Sequence, residues 1–247
     1  MRLAGRLISV SSLTSDDRRA MLELMNRHYV AVDTELFHAD LAEKNWIIEL
    51  RDRETGRLCG FSTQSMLEAN VAGRPIRALF SGDTIVDRKH WGDPALSHVW
   101  GRLAMELIDA ATDAELYWFL LSQGRRTYRF LPLFFREFYP RFDAPTPADI
   151  AQTLDVLARR KFPAAYDCGI GIVRASARQY RLRAELAELP AGRHCDPHVR
   201  YFHERNPVHA RGDELCCLAP LTRENFTPAA YRVIGPEPAT AGAAESG

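Results

Sequence analysis

Ala78-Leu-Phe-Ser-Gly-Asp-Thr-Ile-Val-Asp87, Arg88-Lys-His-Trp-Gly-Asp93 and Pro94-Ala-Leu-Ser-His-Val-Trp-Gly-Arg-Leu-Ala-Met-Glu-Leu-Ile-Asp-Ala-Ala111 form the stretch whose reading decides the fold. The first segment, entered from Ile76, is rich in β-branched and aromatic residues and reads as a strand to Val86. Pro94 behind Asp93 suits the first position of a helix, since a missing N–H is harmless there. Leu96, Val99, Trp100, Leu103, Leu107 and Ala110 then recur on one helical face. Beyond them, Glu115-Leu-Tyr-Trp-Phe-Leu-Leu-Ser122 is almost continuously apolar over the length of a strand, the pattern of a strand covered on both faces. Strand, crossover helix and strand predict a parallel pair.

Before this unit, Thr14 or Ser15 caps a helix to about His28 with Met21, Leu22, Leu24 and Met25 on its apolar face, and a short helix is expected over His38 to Lys44. Trp46–Asp52, the turn Arg53–Gly56 and Leu58–Leu67 read as a hairpin that Val71–Gly73 turns back into the strand from Ile76, an antiparallel meander. After the unit, Arg126 to Phe138 reads as helical, kinked or divided at Pro132. Thr146 with Asp149 reads as a capping box for a helix carrying Ile150, Leu154 and Leu157. Strands are expected at Tyr166–Val173 and Glu214–Leu218, with a polar insertion over residues 175–210 between them. The expected organisation is one α/β domain over 1–235 and a disordered tail over 236–247, where little apolar surface is available.

The 247 residues are 46% hydrophobic and 26% charged, enough to bury a large core under a solvated surface. Thirty-two basic residues balance thirty-two acidic ones, so no overall field draws the chain to nucleic acid or an anionic membrane. No apolar run approaches the roughly 20 residues that span a bilayer, and the N-terminus reads as carrying no signal peptide. Five cysteines without framework spacing read as reduced thiols, so a cytoplasmic location is expected. His194-Cys-Asp-Pro-His198 with Cys216-Cys217 matches no familiar zinc spacing, and no metal is assigned.

The order of elements and the strand–loop–helix from Ala78 to Ala111 resemble the acyl-donor-binding core of the GCN5-related N-acyltransferases, over roughly residues 10–220. The resemblance implies a mixed central sheet flanked by helices, with the insertion between the last strands. It implies that strand backbone pairs with the pantetheine amides and that helix N-terminal amides hold the pyrophosphate. Gly82, Thr84, Ile85, Val86, Arg88, Lys89, Trp91 and Gly92 are the donor-binding positions so assigned, with Gly82 either forming a bulge that frees an N–H for the thioester carbonyl or relieving crowding. At three diagnostic places of the family's phosphate loop this chain carries Trp91, Pro94 and Leu96. The pattern is similar to divergent members, such as long-chain N-acyl amino acid synthases, that take longer acyl groups from acyl-CoA or acyl carrier protein.

Amide formation needs a deprotonated amine, a polarised thioester and a proton for the departing thiolate. Asp83, a carboxylate within a core strand, is the candidate base or else the partner of Arg77 or Arg126. Tyr128 and Tyr139 lie where the family supplies a tyrosine acid, and either is equally read as a core tyrosine. The expected activity is direct acyl transfer to the amine of a small acceptor with an acyl-pantetheine co-substrate and no tightly bound cofactor. A non-catalytic module that binds an acyl ligand or a protein is the alternative. Oligomeric state is left open.

Overall fold

The computed structural model describes residues 2–111, 113–175, 181–182 and 196–235. Much of the expected insertion, including His194 and Cys195, and the whole tail from 236 lie outside the described residues.

The chain opens with an edge strand, β1 (Leu3–Ser9), which sequence reading missed because only Leu3 of it is buried and Gly5 and Arg6 interrupt its apolar residues. Helix α1 (Ser15–His28) follows, with Thr14 and Asp17 closing a reciprocal capping box. After β2 (Tyr29–Val30), α2 runs from Thr34 to Ala42 rather than from His38, because the Asp33 carboxylate accepts the amides of Glu35 and Leu36 and starts the helix four residues earlier. The meander is β3 (Trp46–Asp52), β4 (Leu58–Val71) and β5 (Arg74–Val86). Helix α3 (Ala95–Ala110) and strand β6 (Glu115–Ser122) complete the unit read from Ala78.

The expected helix over 126–138 is two short ones, α4 (Arg125–Tyr128) and α5 (Phe130–Phe134), because Pro132 has no N–H to return to the Tyr128 carbonyl. Helix α6 (Ala148–Lys161) begins behind Pro147, which makes no side-chain cap, so the Thr146–Asp149 capping box does not form. Tyr166–Val173 is a tight hairpin, β7 (Tyr166–Asp167) and β8 (Ile172–Val173), turned by Gly171 at φ 71°. The remaining helices and strands among the described residues are β9 (Arg181–Leu182), α7 (Pro197–Arg205), β10 (Glu214–Pro220) and α8 (Pro228–Ile234). Among the described residues no helix is long and apolar enough to cross a membrane.

Among the described residues eight strands form one mixed sheet in the order β1-β3-β4-β5-β6-β10-β8-β7, and β2 pairs with β9 apart from it. Every neighbouring pair in the large sheet is antiparallel except β5 and β6, the predicted parallel pair. One face carries α3, α5, α7 and α8 over Leu79, Trp118 and Leu120. On the other face α1 and α2 cover Phe61 and Ile85, and α6 covers Ala78, Phe80 and Phe119. The architecture is mixed α/β, a central sheet flanked by helices.

Candidate functional site

The parallel pairing of β5 with β6 runs from Ile76↔Glu115 to Ser81↔Leu120 and stops there. β5 nevertheless continues to Val86 on the β4 side, where Ser62↔Thr84 and Gln64↔Ser81 leave Gly82 and Asp83 facing Thr63 alone. Two residues opposite one make a bulge. It flips the alternation of side chains, which is why Phe80 and Ile85, five positions apart, both face the helices α1, α2 and α6. Beyond the bulge the two strands splay, and the edge of β5 toward β6 carries no strand among the described residues.

Glycine is required at 82 by space rather than by backbone angle: a Cβ there would stand 2.6 Å from Thr63 Oγ1. Polar side chains secure the bulge. The Trp118 indole donates to Ser81 Oγ (2.9 Å), which donates to Gln64 Oε1 (2.7 Å), while Gln64 Nε2 donates to Ser62 Oγ (2.7 Å). Ser62 Oγ lies 2.7 Å from Thr84 Oγ1, which donates to the Gly82 carbonyl at 3.2 Å. Gln64 and Ser62 are buried, where each unmet group would cost about 1–3 kcal/mol.

A cavity of about 350 Å³ fills the splay and passes from one face of the sheet to the other. On the α3 face Leu96, Trp100, Trp118, Phe130 and Phe134 make an apolar wall. On the opposite face Phe37, Asp40, Lys44, Phe80, Lys161 and Phe162 line it, with the ammonium groups of Lys44 and Lys161 lying 5.8 and 5.9 Å from the Phe80 ring centre. Lys44 is ion-paired to Asp40 at 2.7 Å and Lys161 to Glu43 at 2.6 Å. Between the two walls stand Gly82, Asp83 and Thr84 on β5 and Glu214 at the start of β10. The buried indole Nε1 of Trp100 has no hydrogen-bond partner.

Burial, then the neighbouring charges of Asp83 and Asp213, pushes the Glu214 carboxyl up to about 8. Burial first, then Asp83 and Glu214, also raises the Tyr29 phenol, which lines the same space. Asp83, Glu214 and Tyr29 are thus one electrostatic group. The charge of Asp83 thus adds to burial in favouring the protonated form of Glu214. Glu214 and Tyr29 went unread in the sequence, because each joins Asp83 only through strands far apart in the chain. An acidic residue opening an otherwise apolar strand was the one available signal for Glu214.

The other predicted residues fall elsewhere. Tyr128 is fully buried and donates to the Pro140 carbonyl at 2.8 Å. Tyr139 packs against α6, with its backbone bonded to Leu218 in both directions. Neither belongs to the cavity lining. Ile85 packs under α1, and Val86 packs on the α3 side with its carbonyl receiving the Trp91 indole at 2.9 Å. The guanidinium of Arg126 sits 3.7 Å from the Trp91 ring centre and that of Arg88 5.6 Å, while Lys89 is exposed and Gly92 turns the loop at φ 97°. Asp93 occupies the start of α3: one oxygen accepts Ala95 N–H at 2.9 Å and the other accepts Arg2 N–H at 2.8 Å and Leu3 N–H at 3.3 Å. Arg77 pairs with Glu68 at 3.8 Å. Cys216 and Cys217 are buried in β10, and burial raises both thiols.

No family model matches the chain, and no curated protein matches it. Solved structures do. A probable N-acyltransferase of unknown function from Enterococcus faecalis V583 overlaps 55% of this chain and 33% of its own, at 14% identity and TM-score 0.41. A GNAT family N-acetyltransferase from Escherichia coli in complex with CoA overlaps 53% of this chain and 68% of its own, at 17% identity and TM-score 0.39. N-myristoyltransferase from Saccharomyces cerevisiae with bound myristoyl-CoA overlaps 49% of this chain and 29% of its own, at 15% identity and TM-score 0.39. This chain thus spans a third of the length of the Enterococcus protein. Overlaps this partial leave the site to be read from its own geometry.

Proposed function

We propose that this chain is an N-acyltransferase of the GCN5-related kind, moving an acyl group from a pantetheine thioester to the amine of a small acceptor by direct attack. The observation that carries this reading is the splay of β5 from β6 beyond a bulge, over a cavity that reaches both faces of the sheet. That strand edge, with no strand beside it among the described residues, offers N–H and C=O groups to an extended, amide-bearing arm. The apolar wall from Leu96 to Phe134 suits an acyl chain longer than acetyl, and the polar opposite wall suits the acceptor.

In this reading the acceptor ammonium loses a proton to Asp83, directly or through water, and the free amine attacks the thioester carbonyl. The tetrahedral oxyanion collapses, the carbon–sulfur bond breaks, and the thiolate takes the proton that Glu214 holds at neutral pH. The acylated nitrogen gives its surplus proton to water, and transfer of the Asp83 proton to Glu214 restores the pair, so each turnover releases one proton from the ammonium and atoms and charge balance.

The donor's head group follows from Asp93. Its carboxylate accepts the first amide of α3, that of Ala95, and repels a diphosphate at that position. This supports a pantetheine arm carried on a protein through a single phosphodiester over free CoA. Incubating the chain with acyl-CoAs of several lengths and with acyl-loaded carrier protein, across a panel of amines, and following free thiol tests both levels. Thiol release with carrier protein well above that with CoA is expected, and Asp83→Ala is expected to lower it by about 10²–10⁴-fold. Absence of turnover with every donor overturns the enzyme reading. Equal or better turnover with CoA overturns the choice of donor alone.

A further inference from the structure

Outside the cavity, three side chains converge where the loop after β5 crosses the β3–β4 hairpin. Asp52 ends β3, Cys59 is the second residue of β4, and His90 closes the single turn Arg88–His90. One ligand atom from each, a carboxylate oxygen, Sγ and a ring nitrogen, lies within 4.8 Å of the other two. His90 is 6% exposed, and neither of its ring nitrogens has a hydrogen-bond partner. A buried imidazole without a bond at either nitrogen is costly and, in a native site, calls for a missing partner.

The surroundings hold the three in place. The Cys59 carbonyl accepts Asp87 N–H at 2.8 Å, fastening the loop to β4, and His90 N–H returns to the Asp87 carbonyl at 2.8 Å. Cys59 Sγ donates to the Arg57 carbonyl at 3.4 Å and receives the Arg57 guanidinium at 3.6 Å, while the same guanidinium is paired with Asp87 at 3.3 Å. Asp52 Oδ1 is engaged by the amides of Glu54 and Thr55 and by the Thr55 hydroxyl. Its other oxygen takes no part in these bonds.

We propose that Asp52, Cys59 and His90 form a Zn²⁺ site that pins the Arg88–His90 turn to the β3–β4 hairpin. One sulfur, one imidazole nitrogen and one carboxylate oxygen are donors suited to zinc, and the thiol makes magnesium or calcium a poor occupant. A thiolate and a carboxylate neutralise the two charges of the ion, so the assembled site adds no net charge to this buried corner. The Cys59 proton leaves to water on binding, and a water completes a tetrahedron. None of the three residues lines the cavity, so the site fixes the loop and takes no part in acyl transfer, and it stands or falls apart from that reading.

The test uses the full chain stripped of metal and titrated with Zn²⁺ against a chromophoric chelator, with Co²⁺ as the spectroscopic probe. One tight equivalent of Zn²⁺, a thiolate-to-cobalt charge-transfer band and a raised melting temperature are expected. Cys59→Ser should abolish the band, and Cys59→Ser and His90→Gln should each weaken Zn²⁺ by more than about 100-fold, beyond what loss of a supporting contact does. Asp52→Asn, at a half-exposed position, supplies the same reading should either buried variant fail to fold. The double variant Cys168→Ala/Cys195→Ala should bind as the parent does. Absence of a tight equivalent overturns the site, as does a cobalt band that survives Cys59→Ser or is lost in the double variant.

Discussion

A methyl group at position 82 meets Thr63 Oγ1 at 2.6 Å, and Thr63 is a buried, β-branched residue with little room to turn. Gly82→Ala is therefore expected to lower stability by about 1–3 kcal/mol, and most of that loss should return in the double variant Gly82→Ala/Thr63→Ala. Urea unfolding of the four proteins in this cycle measures the coupling. At Glu214 the sign follows from linkage. A carboxyl raised from 4.5 to about 8 on folding binds its proton more tightly in the native state, so its contribution is complete below about pH 4.5 and is lost as pH rises through about 8. Glu214→Gln, which cannot ionise, should match the parent near pH 4 and exceed it by about 1 kcal/mol or more above pH 8, as thermal melts at the two pH values would show. Asp83 was legible as a charge inside a strand. Its partners were not, because residue 214 reaches residue 83 only after the sheet has brought β10 beside β6.

Elements were legible where local chemistry alone decides them. Thr14 and Asp17 cap α1 through their own side chains, so the start of that helix is written in four consecutive residues. Thr14→Ala is expected to cost about 1 kcal/mol and Thr14→Ser little of it, read by urea midpoint. Asp17 also holds Arg51 at 2.8 Å, and Arg51 with Arg6 neutralises the fully buried Glu49. Loss of Asp17 should therefore exceed loss of Thr14 in the same measurement. Elements defined by a partner elsewhere were harder. The short edge strand β1 exists by pairing with β3, and α8 by packing on α3, where Gly101 lets Ile234 approach to within 2.4 Å of a would-be Cβ. Periodicity in a single segment carries neither signal.

At the scale of the whole molecule, the parallel pair was predictable from the length and burial of its parts, whereas the passage through the sheet was not. It depends on where β6 stops following β5, a property of two strands and a bulge together. Trp100→Ala and Phe134→Ala each enlarge the apolar wall and are expected to shift thiol release toward longer acyl chains, measured as kcat/KM across a series of donor lengths. The hydroxyl and amide chain that secures the bulge spans three strands and has a direction: every hydrogen from the Trp118 indole to the Thr84 hydroxyl points toward the Gly82 carbonyl. Gln64 sets that direction, since its oxygen takes from Ser81 and its nitrogen gives to Ser62. In Gln64→Glu, once the carboxyl ionises, both ends take. Ser62 must then turn its hydrogen back to residue 64, Thr84 must turn its own to Ser62, and the Gly82 carbonyl is released toward the cavity with its lone pairs bare. A single proton at residue 64, which lines no part of the cavity, would thus reverse the polarity of a relay and set the acceptor strength of an oxygen on the neighbouring strand.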